Sequence, residues 1–304
     1  MGTIRKAGAF AVPALAAAGA VGLAGPATPA GADPTGQPLS GDLTQDGILD
    51  RVTLGQNAVT CQVTVEPGLP SGGFGPAEVH DYEISFENYN EWCPDIGAVV
   101  DLAGDGVDDL VVGWYSSSLC SSGSTEPCFD VLTLTDFEVV GGYYTQVGFG
   151  PINAADLDAD GLVDVYRING NSEGFTSLLN TPSGELVLGP MQSNCGGADH
   201  YLGDFDEDGK LDLVVSYYYS GPVPSCGPPT APNANSGAKV VFDDGTEVSV
   251  FNDIDNPASA NWYVEAPVDA NDDGHLDIVA KDQGTGEVVA VFLGDGLGGF
   301  TSAK

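Results

Sequence analysis

One nine-residue acidic pattern occurs five times along the chain, and it limits what the chain can fold into more than any other feature. It reads DLTQDGILD from Asp42, DLAGDGVDD from Asp101, DLDADGLVD from Asp156, DFDEDGKLD from Asp204 and DANDDGHLD from Asp269. In general form it is D-x-(D/N)-x-D-G-x-x-D. Oxygen-bearing side chains at alternate positions suit a hard cation such as Ca²⁺, which takes six to eight oxygen ligands at short range. Glycine at the sixth position lets the backbone turn sharply where a Cβ would be strained. Each copy therefore reads as a calcium loop, and the repetition reads as an architecture.

The loop departs from the helix–loop–helix calcium site after its first half. That site needs a bidentate Glu at position twelve and a helix on either side. Here the twelfth residues are Thr53, Val112, Arg167, Val215 and Ala280. A further carboxylate stands instead at position nine: Asp50, Asp109, Asp164, Asp212 and Asp277. The flanks, such as LDLVVSYYY from Leu211 and LDIVAK from Leu276, are rich in β-branched and aromatic residues and predict strands. The loops start 59, 55, 48 and 65 residues apart, a spacing that points to repeated strand-rich units such as propeller blades. Helical periodicity is confined to the N-terminal segment. The 43 glycines and 20 prolines, mostly between strands, fit many short turns.

The loop, the LVV-type strand after it and the terminal VFLGDGLGGF resemble the FG-GAP/VCBS repeats of integrin α-chain propellers and of many secreted bacterial proteins. The resemblance spans residues 42–300. It implies an all-β propeller of five blades, each with four antiparallel strands and one calcium loop. It also implies side-chain ligands from positions one, three, five and nine and a backbone carbonyl from position seven. In the first loop those residues are Asp42, Thr44, Asp46, Ile48 and Asp50; in the second, Asp101, Asp105, Val107 and Asp109. The third offers Asp156, Asp158, Asp160, Leu162 and Asp164, and the fourth Asp204, Asp206, Asp208, Lys210 and Asp212. The fifth offers Asp269, Asn271, Asp273, His275 and Asp277. Thr44 brings only a neutral hydroxyl, and Ala103 leaves position three of the second loop without a ligand. Fewer anionic ligands bind calcium more weakly. Three strong sites are expected, in the third, fourth and fifth loops, and up to five in all. The chain ends shortly after Phe300, so the segment before Asp42 is expected to supply the outer strand that closes the ring.

Residues 1–32 have the layout of a secretory signal peptide: basic Arg5 and Lys6, an Ala/Gly-rich apolar stretch over 7–25, then Ala30-Gly31-Ala32. The domain is then 33–304, exported to the extracellular space. Six cysteines suit an oxidising compartment, and neighbour pairing (61–93, 120–128, 195–226) is the preferred pattern among fifteen connectivities. With 44 acidic and 8 basic residues the net charge is −36. Such a surface repels nucleic acid and anionic membranes. No apolar segment beyond the leader predicts membrane insertion.

Catalytic chemistry has little to rest on. Gly170-Asn171-Ser172-Glu173-Gly174 matches G-x-S-x-G, but a nucleophile elbow needs a strand before it and a helix after it, whereas a blade turn is due here. His80 and His200 stand alone in the sequence, and His275 lies within a calcium loop. Tyr217, Tyr218, Tyr219, Trp92, Trp114, Tyr115, Trp262 and Tyr263 are either inter-blade core or exposed stacking surfaces. The Pro-rich segment 220–236 is expected to be a surface loop and a contact surface. The expected function is non-catalytic: adhesion or binding of a glycan or an extracellular protein. The alternatives are a secreted hydrolase of polysaccharide or lipid and a purely structural matrix protein.

Overall fold

The computed structural model describes residues 38–57, 59–84, 93–115, 131–143, 150–169, 174–193, 195, 198–218 and 226–303. The fold is all-β: five four-stranded antiparallel sheets, each a meander in which sequential strands pair. The first sheet is Leu39–Gly41 (β1), Asp50–Gln56 (β2), Cys61–Glu66 (β3) and Glu78–Tyr82 (β4). The second is Ile96–Val100 (β5), Asp109–Gly113 (β6), Val131–Thr135 (β7) and Glu138–Tyr143 (β8). The third is Ile152–Ala155 (β9), Asp164–Asn169 (β10), Gly174–Leu179 (β11) and Val187–Ser193 (β12). The fourth is Ala198–Gly203 (β13), Asp212–Tyr218 (β14), Ser236–Val241 (β15) and Glu247–Asn252 (β16). The fifth is Trp262–Val264 (β17), Ile278–Asp282 (β18), Val288–Gly294 (β19) and Phe300–Ser302 (β20), preceded by a single 3₁₀ turn over Pro257–Asn261.

Apolar layers join each sheet to the next. Val52, Val63 and Val65 of the first sheet meet Leu110, Val112, Leu132 and Leu134 of the second. Val111 and Val131 turn the other way, onto Ile152, Val165 and Leu178 of the third. In β14, Leu213 and Val215 pack toward the third sheet, while Val214 packs toward the fifth. A strand covered on both faces has no polar side to show, so β6 and β14 read as unbroken apolar runs rather than alternating ones. The first strands of the first three sheets pack side by side, β5 lying against β1 and β9. Gly41 permits this approach, since a Cβ there would fall 2.1 Å from Val99 Cγ1. Arg167 is fully buried and ties the second sheet to the third by donating to the carbonyls of Trp114 (2.9 Å) and Gly150 (3.0 Å).

The closing strand differs from expectation. Leu39 and Ser40 pair with Val52 and Arg51, so the N-terminal segment is the first strand of its own sheet. The fifth sheet needs no borrowed strand, because Phe300–Ser302 pairs with β19 and completes it. Of the expected cysteine pairs, Cys61–Cys93 is a disulfide. Cys195 and Cys226 lie side by side, with the Cys195 thiol 3.9 Å from the Cys226 carbonyl oxygen, and no disulfide joins them. Cys120 and Cys128 lie outside the described residues, as do Ser172, Trp92, Tyr219 and the segment 1–32 expected to be a leader. The described end of the Pro-rich segment exposes residues 229, 230, 232, 233 and 235 while Ala231 and Ala234 anchor it in the layer between the third and fourth sheets. Among the described residues no helix is long and apolar enough to cross a membrane.

Candidate metal centres

Each acidic loop links the first strand of a sheet to the second, and all five have one backbone conformation. Position four is left-handed in every copy, at Gln45, Gly104, Ala159, Glu207 and Asp272, with φ between 57 and 66°. The glycine at position six is left-handed too, with φ from 82 to 96°. Position six accounts for the strict glycine, whereas position four is a strained choice for Gln, Ala or Glu that the surrounding turn enforces.

Two hydrogen bonds recur in all five loops. The position-six N–H donates to the position-one carboxylate, at 2.7 Å for Gly47 to Asp42 and 3.1 Å for Gly161 to Asp156. The position-seven N–H donates to the position-five carboxylate, from 2.8 Å at Leu162 to 3.0 Å at His275. Ile48, Val107, Leu162, Lys210 and His275 thereby have their N–H groups engaged within the loop, while their expected metal ligand is the opposite backbone group, the carbonyl.

The loops differ at position one. In the first, second and fifth, the second oxygen of that carboxylate accepts the position-five N–H, as Asp42 does from Asp46 at 3.0 Å. In the third and fourth the position-five N–H turns instead to position three, Asp160 to Asp158 and Asp208 to Asp206, each at 3.3 Å. Oδ1 of Asp204 is then buried without a hydrogen-bond partner. One oxygen each from Asp156, Asp158 and Asp160 lies within 4.8 Å of the other two, and the same holds for Asp204, Asp206 and Asp208. Oxygens sharing one cation at about 2.4 Å can be no farther apart than about twice that distance. An unpartnered buried oxygen and three converging carboxylates fit a hard, oxygen-liganded cation. Without one, burial and then the neighbouring carboxylates push Asp158 and Asp206 above the usual carboxylate range.

Position nine behaves as a latch. Asp50, Asp164, Asp212 and Asp277 are fully buried and Asp109 nearly so. One oxygen accepts a backbone N–H at the start of the loop: Thr44 (2.9 Å), Leu157 (2.7 Å), Phe205 (2.9 Å) or Ala270 (2.8 Å). The other accepts an N–H from the far side of the same sheet: Gly68 (2.9 Å), Asn180 (2.7 Å), Asp243 (3.1 Å) or Gly294 (2.9 Å). In the second sheet the Thr135 hydroxyl takes that place, at 2.7 Å from Asp109. Burial pushes Asp164 up to about 6 and Asp212 up to about 7, against the pull of the two backbone donors.

The loops also touch one another in series. The Asp42 N–H donates to Asp108 (2.6 Å), the Asn180 amide to the Leu102 carbonyl (2.6 Å), and the Leu211 N–H to the Leu157 carbonyl (2.8 Å). His275 pairs with Glu207, which raises the imidazole pKa, and Lys210 pairs with Asp243. Sequence reading missed Asp108, Asn180, Glu207 and Asp243 as partners of the loops. Asp108 and Glu207 lie within a loop and Asp243 opens an Asp-Asp-Gly turn, whereas Asn180, before a Thr-Pro-Ser-Gly turn, carried no such signal. Gly174 opens β11, which pairs with β10 through Asn169, so the G-x-S-x-G segment joins strand to strand and lacks the helix an elbow requires.

No protein-family model matches the chain, and no curated protein does. Among solved structures it is similar to an Agrocybe aegerita lectin described as recognising non-reducing terminal N-acetylglucosamine, with TM-score 0.46 and 16% identity over 88% of this chain. It is also similar to the V. cholerae biofilm matrix protein Bap1, with TM-score 0.36 and 18% identity over 76% of this chain. The chain spans 65% of the length of the first and 33% of the second.

Proposed function

We propose that the chain is a secreted, calcium-stabilised five-bladed propeller of the FG-GAP/VCBS kind, acting as a non-catalytic binding or adhesion module for a glycan or an extracellular protein. The observation that carries the reading is one loop geometry repeated once per sheet, with converging carboxylates in the third and fourth copies. Calcium bound there neutralises carboxylates that otherwise repel one another. Asp156, Asp158, Asp160, Asp204, Asp206 and Asp208 are the side chains expected to hold it most tightly, followed by the fifth loop, where Asn271 replaces one carboxylate. The five sheets are the blades, and the half-buried outer faces of the first and fifth, around Thr53 and Val279, meet when the ring closes. Loops whose oxygens wrap the ion leave no open coordination position for substrate, which favours a structural role for the metal.

The test is a glycan array and a panel of extracellular proteins, run with calcium and with chelator, beside esterase and glycosidase substrates. Calcium-dependent retention without turnover is expected. Steady turnover abolished by Ser172→Ala, or by loss of one carboxylate outside the loops, would replace this reading with a hydrolase. Self-association without retention of any ligand would replace it with a structural matrix protein.

A further inference from the structure

Between the fourth and fifth sheets, the outer strands part around a cleft of about 390 Å³. That volume lies within the range of about 300–1,000 Å³ usual for small-molecule sites. Its wall is aromatic. Phe251 of β16 and Phe292 of β19 stack at 5.2 Å between centroids, nearly parallel, and both are buried. Trp262, at the start of β17, meets Phe251 edge-on at 5.4 Å and remains half-exposed to the cleft. Its indole N–H donates to no described residue. The flat apolar wall is thus buttressed from behind and open in front.

The rim is polar, and one residue organises it. Asn252 is buried, and its side-chain oxygen accepts the N–H groups of Ile254 (3.1 Å) and Asp255 (2.9 Å). Its amide donates to Asp255 Oδ2 at 2.7 Å. Asn252 therefore holds the turn and has nothing left for a ligand. Asp255 keeps Oδ1 uncommitted, and Asn256 keeps its NH₂, since only the Asn256 oxygen is used, accepting the Ala258 N–H at 3.2 Å. Both side chains are exposed at the mouth of the cleft.

We propose that this cleft is a binding site for one neutral hexopyranose residue of a glycan. An aromatic face takes the C–H face of a pyranose, burying apolar surface without competing for its hydroxyls. Those hydroxyls both donate and accept, so they need an acceptor and a donor side by side, here Asp255 Oδ1 and Asn256 Nδ2. The Asp255 charge and a net charge of −36 disfavour phosphates, sulfated sugars and uronates. The inference rests on the reading of the chain as a binding module, and it assigns that module a place and a ligand class.

The test uses the full chain with calcium, titrated by calorimetry with a panel of neutral mono- and disaccharides, while tryptophan fluorescence is followed. Trp262→Ala removes the platform. Asn256→Asp keeps the oxygen that caps Ala258 and exchanges the donor NH₂ for a charged acceptor oxygen, so it remains informative should the tryptophan variant unfold. Saturable binding of at least one sugar is expected, weakened at least tenfold in each variant, with the thermal unfolding of Asn256→Asp unchanged. No saturable binding by any sugar of the panel, or binding unaltered by both variants, overturns the cleft. Array retention that persists in both variants also overturns the cleft while leaving the binding-module reading intact. Absence of retention of every glycan and protein by the parent chain overturns both.

Discussion

Asp277→Ala separates a structural latch from a metal ligand. Asp277 is fully buried, with one oxygen on the Ala270 N–H at 2.8 Å and the other on the Gly294 N–H at 2.9 Å. Alanine leaves both N–H groups without an acceptor, and each unsatisfied group costs about 1–3 kcal/mol. The expected loss is therefore about 2–6 kcal/mol, a large share of the roughly 5–15 kcal/mol that holds a native protein together. Asp277→Asn keeps one acceptor and turns an NH₂ toward the other donor, so about half the loss is expected. Urea is the right denaturant, because guanidinium is itself a salt and would screen the acidic surface under study. Unfolding midpoints are measured in saturating calcium and in chelator, with Asp273→Ala alongside. The Asp277 variants should lose similar stability in both conditions, and Asp273→Ala should lose it mainly with calcium present. If the cost of Asp277→Ala disappears in chelator, position nine acts through the metal and the latch argument fails.

Chelation should lower the melting temperature clearly, since a site at a hundredfold excess over Kd contributes about 2.7 kcal/mol by mass action; an unchanged curve after verified calcium removal counts against structural sites. Asp206→Ala should cost more calcium-dependent stability than Asp105→Ala, because the second loop already lacks a ligand at Ala103, and equal losses in calcium-matched melts would mean that ligand count does not rank the loops. His200 is buried, and burial followed by the Lys239 charge lowers its pKa to about 4. A folded-state pKa below the unfolded value means stability present above about pH 6.5 and lost as pH falls toward 4, by about 2 kcal/mol between pH 7 and 5. His200→Gln should lose correspondingly less over that interval at saturating calcium; parallel pH profiles of the two proteins would show that His200 titrates freely.

The amino-acid order alone determined the class of the fold and its punctuation. The β-rich flanks and the acidic loops are local features, written in consecutive residues, and Gly47, Gly106, Gly161, Gly209 and Gly274 mark positions whose φ a Cβ would oppose. The Cys61–Cys93 disulfide was legible for the same reason, since its half-cystines lie on either side of the β3–β4 hairpin. What tertiary structure decided is where distant segments meet. Position nine reads as one more carboxylate in a row, yet its second oxygen serves an N–H group up to 31 residues away, a partner that only the sheet register brings near. The left-handed backbone at Gln45, Ala159 and Glu207 has no signature in those residue types, because the closed turn imposes it. Cys195 and Cys226 are close in sequence terms, but the packing of their segments turns the Cys195 thiol to a carbonyl oxygen. Trp262 and Tyr217 look equivalent as aromatic residues near strands. Burial between the third and fourth sheets makes Tyr217 core, and the parting of the fourth and fifth makes Trp262 the wall of a cleft, because an aromatic ring serves either environment and only its neighbours select which.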